Sequence, residues 1–387
     1  MAYALRTSHL RPEGAYQVLA RANQLEASGR EIIHFEIGQP DFDTFSNISL
    51  AGIRAISEGH TRYTPPAGMP SLREVIAEDS GRRRGIHITP EEVVVGPGAK
   101  PALFFPTLTL VEPGDEVIYP DPGFPTYETM IHVAGGTPVA VPLPEENNFS
   151  FDLEVFDRLV NARTKLIILN SPSNPTGGVI PQADLEHIAK KAMQYDCWVM
   201  SDEIYGQLAY DGLVVPSIAS IPGMQSRTII VDGFSKTYAM TGWRLGYGIM
   251  PRELAERVGL LLTHSVGSTA HFTQFAGVAA ILGPQDEVTA AAAEYQRRRD
   301  VIVAGLNTLP GFHCQTPQGA FYAFPNIKAT GMTSNDLANI ILEKAGVALL
   351  PGSSFGEQGE GYLRLSYATS IETIQLGLER IRTILGK

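Results

Sequence analysis

Short runs of β-branched and other apolar residues recur through the middle of the chain. They stand at "EVVVG" (92–96), "DEVIYP" (115–120), "TPVAVP" (137–142), "TKLIILN" (164–170), "CWVMSD" (197–202), "RTIIVDG" (227–233) and "RLGYGIM" (244–250). A strand with one wet face alternates apolar and polar positions, whereas these runs are apolar nearly throughout, as strands covered on both faces are. Between most of them lie helix-length segments such as "PALFFPTLTL", "PTYETMIHVAGG", "DLEVFDRLVN" and "PQADLEHIAKKAMQY". The alternation predicts an α/β fold with a mostly parallel central sheet flanked by helices.

From about residue 285 the pattern changes. A long helical segment, "DEVTAAAAEYQRRRDVIVAGLNTL", leads to short strands at "GAFYAFP", "VALLP" and "GYLRLSYA", separated and closed by helices. This reads as a second, smaller α+β domain. The N-terminal helix "PEGAYQVLARANQLEASG" ends at Gly29, before the large sheet begins, and is expected to join it. The expected division is a large domain over 46–284 and a small one built from 1–45 and 285–387.

Composition narrows the class. Of 387 residues, 44% are hydrophobic and 18% charged, which suits a large packed core. The net charge of −11 argues against nucleic acid or an anionic membrane as partner. The arginine clusters "GRRRG" (81–85) and "QRRRD" (296–300) read as helix faces or helix ends. Cys197 and Cys314 are the only cysteines, so neither a disulfide framework nor a cysteine metal site is expected. With no 18-residue apolar run and no apolar core in "MAYALRTSHLRPEG", the expectation is a soluble, cytoplasmic chain without a membrane span.

In open α/β sheets ligands gather at the carboxyl ends of the strands. "PGAK", "DPGF", "SPSNPTGG", "SDEIY" and "DGFSK" follow successive strand runs. One rim is therefore expected to hold Lys100, Phe124, Asn174, Asp202, Tyr205, Lys236 and, slightly later, Arg244. Lys236 is isolated among "GFS" and "TYAMTGW", with Arg244 its nearest cationic neighbour. The set suits a flat anionic ring better than a hydrolytic reaction. The "GPGAK" turn offers free backbone N–H groups to a phosphate, and Ser235 and Arg244 a hydroxyl and a charged fork. Asp202 suits a ring nitrogen, Phe124 a ring face, and Lys236 an aldehyde. An aldehyde-bearing ring phosphate of that kind is pyridoxal 5′-phosphate.

The segments "IGQPDF", "RYTPPAG", "GAKPAL", "DPGFPTY", "SPSNPTGG", "SDEIY", "FSKTYAMTGWRLGY" and "GYLRLSYA" occur in this order. Together they resemble the class I/II pyridoxal-phosphate-dependent aminotransferases of the aspartate aminotransferase fold (fold type I), from about residue 30 to the C-terminus. The resemblance implies that Lys236 bonds the cofactor aldehyde and then shuttles the substrate proton. It gives Asp202 the pyridine nitrogen, and Tyr205 and Asn174 the ring 3-oxygen. Arg364, with Asn174 and the Gly38 backbone, would take the substrate α-carboxylate. Arg244, Ser235 and the turn Gly98, Ala99, Lys100 would take the phosphate. Tyr63 resembles a residue that reaches the partner's phosphate, which implies a homodimer with shared active sites.

The implied activity is ping-pong transfer of an amino group between an amino acid and a 2-oxo acid. Lys100 and Arg11 resemble cations that meet an acidic substrate side chain, which points to aspartate and 2-oxoglutarate. Broad-specificity, alanine and aromatic aminotransferases, and a pyridoxal-phosphate lyase, stay open as alternatives. So do plainer roles: Asp202 precedes "EIYGQL" as a helix cap would, Asn174 sits where a turn residue would, and Arg364 is placed for a structural salt bridge. One position departs from the family pattern. Many relatives carry serine three residues before the lysine, where this chain has Gly233.

Overall fold

The structure is a computed structural model and describes residues 4–8, 10 and 12–386. Its strands, in chain order, are β1 (Ile33–His34), β2 (Val93–Gly96), β3 (Glu116–Asp121), β4 (Thr137–Pro142), β5 (Thr164–Asn170) and β6 (Trp198–Asp202). There follow β7 (Thr228–Gly233), β8 (Gly246–Ile249), β9 (Tyr322–Ala323), β10 (Val347–Ala348), β11 (Leu350–Pro351) and β12 (Leu363–Ser366). Seven of them form one sheet in the order β2-β8-β7-β6-β5-β3-β4. Only β8 runs against the rest; all other neighbours in that order are parallel. Every run predicted from the apolar pattern is a strand of this sheet.

The runs lack alternation because both faces are packed. Along β5, Leu166 and Ile168 point into one apolar cluster, while Ile167 and Leu169 point into another. Helices Lys100–Leu110, Thr126–Ala134 and Arg252–Thr263 supply the first cluster, and Gln182–Gln194 the second. A third cluster joins β2, β7 and β8 to the helices Pro70–Arg84 and His271–Leu282.

The remaining strands are shorter than "GAFYAFP" and "VALLP" suggest. β1 pairs with β10 in parallel, and β12 lies between β11 and β9 in antiparallel register. The long helix Asp286–Leu306 and the last helix Ile371–Leu385 cover them with Tyr295, Ile302 and Ile381. The helix Gly14–Ala27 is tied to this region by Arg21, which donates to Glu343 Oε1 at 2.7 Å.

Both arginine clusters lie on helices, as expected, but each turns two of its cations inward. Arg84 closes the helix Pro70–Arg84 and is buried, with its guanidinium 2.7 Å from Glu203 and 3.3 Å from Asp232. Arg83 and the Tyr247 hydroxyl complete the shell of Asp232 at 3.2 and 3.1 Å. Ser201 and Ser217 donate to the other oxygen of Glu203. In the second cluster, Arg298 pairs with Asp41 and Glu294, and Arg299 with Asp211 and Asp300.

Removing one partner of a buried ion pair strands the other charge out of water. Arg84→Met is therefore expected to lower stability by about 3–5 kcal/mol, seen as a lower urea midpoint at unchanged slope. A midpoint equal to that of the unaltered chain would contradict this.

Candidate active site

Strand direction alone assembles the rim. β2, β3, β5, β6 and β7 all end on one edge, so Gly98–Lys100, Phe124, Asn174, Tyr205 and Lys236 emerge there together. β8 runs the other way, so its beginning meets that same edge. This places Arg244, two residues before β8, beside the turn at Pro97 and Gly98.

Lys236 lies three residues past the end of β7, and its Nζ donates to the Gly38 carbonyl at 2.6 Å. The rings of Phe321 and Tyr205 flank it at 5.7 and 5.9 Å. Burial, reinforced by the Arg364 and Arg244 cations, pulls its pKa down to about 8, against the opposing pull of Asp202. Asp202 ends β6. Burial raises its carboxyl to about 6, although Tyr127 Oη donates to it at 2.7 Å and the Ile204 N–H at 3.3 Å. Short turns rather than a helix follow it, so it caps no helix.

Arg364 sits in mid-β12, only 4% exposed. It donates to the Glu36 carbonyl and, at 3.4 Å, to Asn174 Oδ1, and its guanidinium lies 4.6 Å from the Tyr322 ring centre. No carboxylate pairs with it among the described residues, and its Nε has no partner. The structural salt bridge left open by the sequence is thus not made among the described residues. Burial shifts the guanidinium below its ordinary value. Asn174 is joined to Asp202 through Asn170, which accepts from the Asn174 N–H and donates to the Asp202 carbonyl.

Tyr205 and Tyr322 share a 2.7 Å hydroxyl–hydroxyl bond; burial pushes both hydroxyls above their ordinary pKa. Gly38 leaves room for this pair, since a Cβ there would stand 2.1 Å from the Tyr322 hydroxyl. Tyr127 and Tyr322 were not singled out from the sequence. They lie in "DPGFPTY" and "GAFYAF", and a reading of aromatic hydroxyls next to strand ends would have found them.

Arg244 donates to the Thr241 and Pro97 carbonyls and has no acidic partner among the described residues. Gly98, at φ +90°, lies close under it: a Cβ would meet Arg244 Nη2 at 2.3 Å. Ala99 precedes the helix that Lys100 begins, and Ser235 is buried between β7 and Lys236. At Gly233 a Cβ would stand 3.0 Å from the Gly246 Cα and 3.3 Å from the Leu245 carbonyl, so β8 crowds this position.

Phe124 is half-buried, edge-on to Tyr127 at 5.7 Å, with Lys100 Nζ 5.4 Å from its ring centre. Lys100 itself pairs with Glu13 at 2.5 Å. Tyr63 is 98% exposed, and no hydrogen bond or ring contact links it to the others. Arg11 lies outside the described residues. A cleft of about 750 Å³ borders the site on the Arg244 side, between Gln39, Phe42, Ile53, Pro97 and Trp243.

The profile of "Aminotransferase class I and II" matches residues 30–381. The chain belongs to that family. Among its relatives, the aspartate aminotransferase of Geobacillus stearothermophilus is 38% identical, over 100% of this chain and 99% of its own. The structure of Thermus thermophilus aspartate aminotransferase with maleate superposes with a TM-score of 0.95 at 37% identity, covering 100% of both chains. An aromatic aminotransferase from Pyrococcus horikoshii OT3 gives 0.90 at 39% identity, covering 94% of this chain and 98% of its own. The central sheet and its helices are thus those of aspartate aminotransferase-type folds.

Aminotransferases of this family depend on pyridoxal phosphate and exchange amino groups between amino acids and oxo acids. The site's own chemistry fits that group. Among the described residues, the cations Arg244 and Arg364 and the buried carboxylate of Asp202 make no ion pair. A phosphate, a substrate carboxylate and a protonated ring nitrogen have the complementary charges.

The lysine can be tested without turnover. Below about pH 8 the folded, cofactor-free aminotransferase holds the Lys236 charge at a desolvation cost that the unfolded chain escapes. As pH rises from about 8 towards 10.5, only the unfolded chain keeps the proton, and the cost disappears. Cofactor-free Lys236→Met is therefore expected to be more stable than the unaltered chain at pH 7, with the gap closing above pH 8. Equal stability at pH 7, or a gap widening with pH, would contradict this.

Proposed function

We propose that this aminotransferase holds pyridoxal 5′-phosphate at the rim around Lys236 and moves the amino group of aspartate to 2-oxoglutarate in a ping-pong cycle. The observation that carries the reading is Arg364, a buried guanidinium whose Nε has no partner, whose hydrogen-bond partners are neutral acceptors and which makes no ion pair among the described residues. A carboxylate is the group that such an environment lacks. Both substrates of a transamination bring one, next to the reacting carbon.

When bound, the cofactor supplies an aldehyde and an electron-withdrawing ring that spreads the charge left at Cα after deprotonation. The chain does the rest. Asp202 would keep a proton on the ring nitrogen, with Tyr127 holding that carboxylate in place. Tyr205, tied to Tyr322, and Asn174 would hold the ring 3-oxygen. Arg244, Ser235 and the N–H groups of the Gly98–Lys100 turn would take the phosphate. Phe124 would stack on the ring. Arg364 and Asn174 orient the α-carboxylate so that the Cα proton faces Lys236, whose amine at a pKa of about 8 is partly neutral near pH 7 and accepts it. The Gly38 carbonyl steadies that amine between transfers.

Within this reading residues 46–284 form the cofactor-binding domain, and 1–45 with 285–387 the smaller one. A homodimer with shared sites is supported by Tyr63 and by Leu50 and Ile53, 64% and 60% exposed, on one face of the helix Ser46–Ser57. Cys197 and Cys314 are free and buried, which supports a cytoplasmic chain. Aspartate as donor rests on the acidic-substrate enzymes among the relatives and on Lys100 at the rim.

Arg364→Ala tests the carboxylate assignment. Catalytic efficiency is expected to fall about a hundredfold, some 3 kcal/mol, for aspartate and for 2-oxoglutarate alike. A variant that keeps its efficiency with both substrates would remove Arg364 from the site.

A further inference from the structure

Glu13 is the residue just before the helix Gly14–Ala27, where a carboxylate ordinarily accepts from the first free N–H groups of the helix. Here it makes no such bond. Its Oε1 reaches 2.5 Å to Lys100 Nζ, 87 residues away and at the mouth of the site. The start of that helix is seated close to Arg364. Gly14 packs so tightly that a Cβ would stand 2.6 Å from Ser354 Oγ, and the neighbouring Phe355 ring lies 5.2 Å from the Arg364 guanidinium. Glu13 is also among the charges that act on Arg364, and Lys100 among those that act on Lys236. The chain thus pairs its own carboxylate with Lys100, one of the two cations that a dicarboxylic substrate would engage.

We propose that Glu13 is a specificity-determining residue: it competes with the side-chain carboxylate of a dicarboxylic substrate for Lys100 and neutralises Lys100 when the substrate side chain is uncharged. The proposal rests on the reading that Lys100 receives an acidic substrate side chain. An incoming β- or γ-carboxylate meets Lys100 already paired and must displace Glu13 or lie beside it, like charge against like. An aromatic or aliphatic side chain brings no anion. Burying Lys100 beneath it would strand an unpaired ammonium unless Glu13 stayed in place. One carboxylate therefore lowers the preference for acidic substrates and makes room for neutral ones. The pair is partly exposed, with side-chain accessibilities of 51% for Lys100 and 29% for Glu13, so it opens without unfolding anything.

Glu13→Gln keeps the shape and removes the charge. In the holoenzyme, the ratio of kcat/KM for aspartate to that for phenylalanine is expected to rise about fivefold, mainly through KM for aspartate. The dissociation constant of succinate, measured by calorimetry, should fall by a similar factor, while that of 3-phenylpropionate does not fall. An unchanged or lower ratio, or unchanged succinate binding, overturns the proposal. Lys100→Met separates it from the reading beneath it. If Lys100→Met leaves aspartate efficiency intact, the assignment of Lys100 fails. If Lys100→Met lowers aspartate efficiency but Glu13→Gln leaves the ratio unchanged, only the role of Glu13 fails. In the Lys100→Met background, Glu13→Gln should no longer change the ratio; a persisting change would show that Glu13 does not act through Lys100.

Discussion

Burying the Arg364 guanidinium without a carboxylate is the constraint on which the rest of the site turns. A charge of that size removed from water is costly unless it is paired or fully hydrogen-bonded. The fold supplies the Glu36 carbonyl, the Asn174 amide oxygen and the face of Tyr322, and leaves Nε unsatisfied. The Arg364 and Arg244 cations then help burial depress Lys236. A site so charged stabilises an anion at the same time as it loosens the proton on its lysine. In the proposed reading, carboxylate binding and a partly neutral lysine are two consequences of one unfavourable arrangement.

That arrangement needs a rigid edge beneath it. Glu203 and Asp232 are immediate chain neighbours of Asp202 and Gly233, and both are buried carboxylates. Their charges add to the burial that raises Asp202 to about 6. Arg83 and Arg84, carried in on the helix Pro70–Arg84, hold them as ion pairs. The antiparallel strand β8 contributes to the same edge, delivering Arg244 beside the Gly98 turn and pressing Gly246 against Gly233. A side chain at 233 would press on Gly246, Ile204 and the Leu245 carbonyl, so in the proposed reading Arg244, Ser235 and backbone N–H groups take the phosphate.

Much of this was legible in the sequence because it is local. An apolar run ending in "SD" or "DG" states where the strand stops, and Asp202 and Lys236 follow from counting onward. Position 364 was legible for the same reason, inside the run "GYLRLSYA". What escaped was pairing across the chain. Arg84 meets Glu203 across 119 residues, Tyr322 meets Tyr205 across 117, and Lys100 meets Glu13 across 87. No periodicity encodes such contacts, and "GRRRG" looks the same whether its cations face water or a buried carboxylate. The two-residue strands β9, β10 and β11 were overestimated in length because their runs are apolar from packing against the helices Asp286–Leu306 and Ile371–Leu385, not from sheet pairing.

The central claim is that the site passes an amino group to the protein-bound cofactor and waits for a second substrate. It is tested most directly by a half-reaction. Holoenzyme mixed with aspartate and no oxo acid should release one equivalent of oxaloacetate per site, with no ammonia, and then stop until 2-oxoglutarate is added. Continued turnover with release of ammonia, or no oxaloacetate at all, would contradict the account.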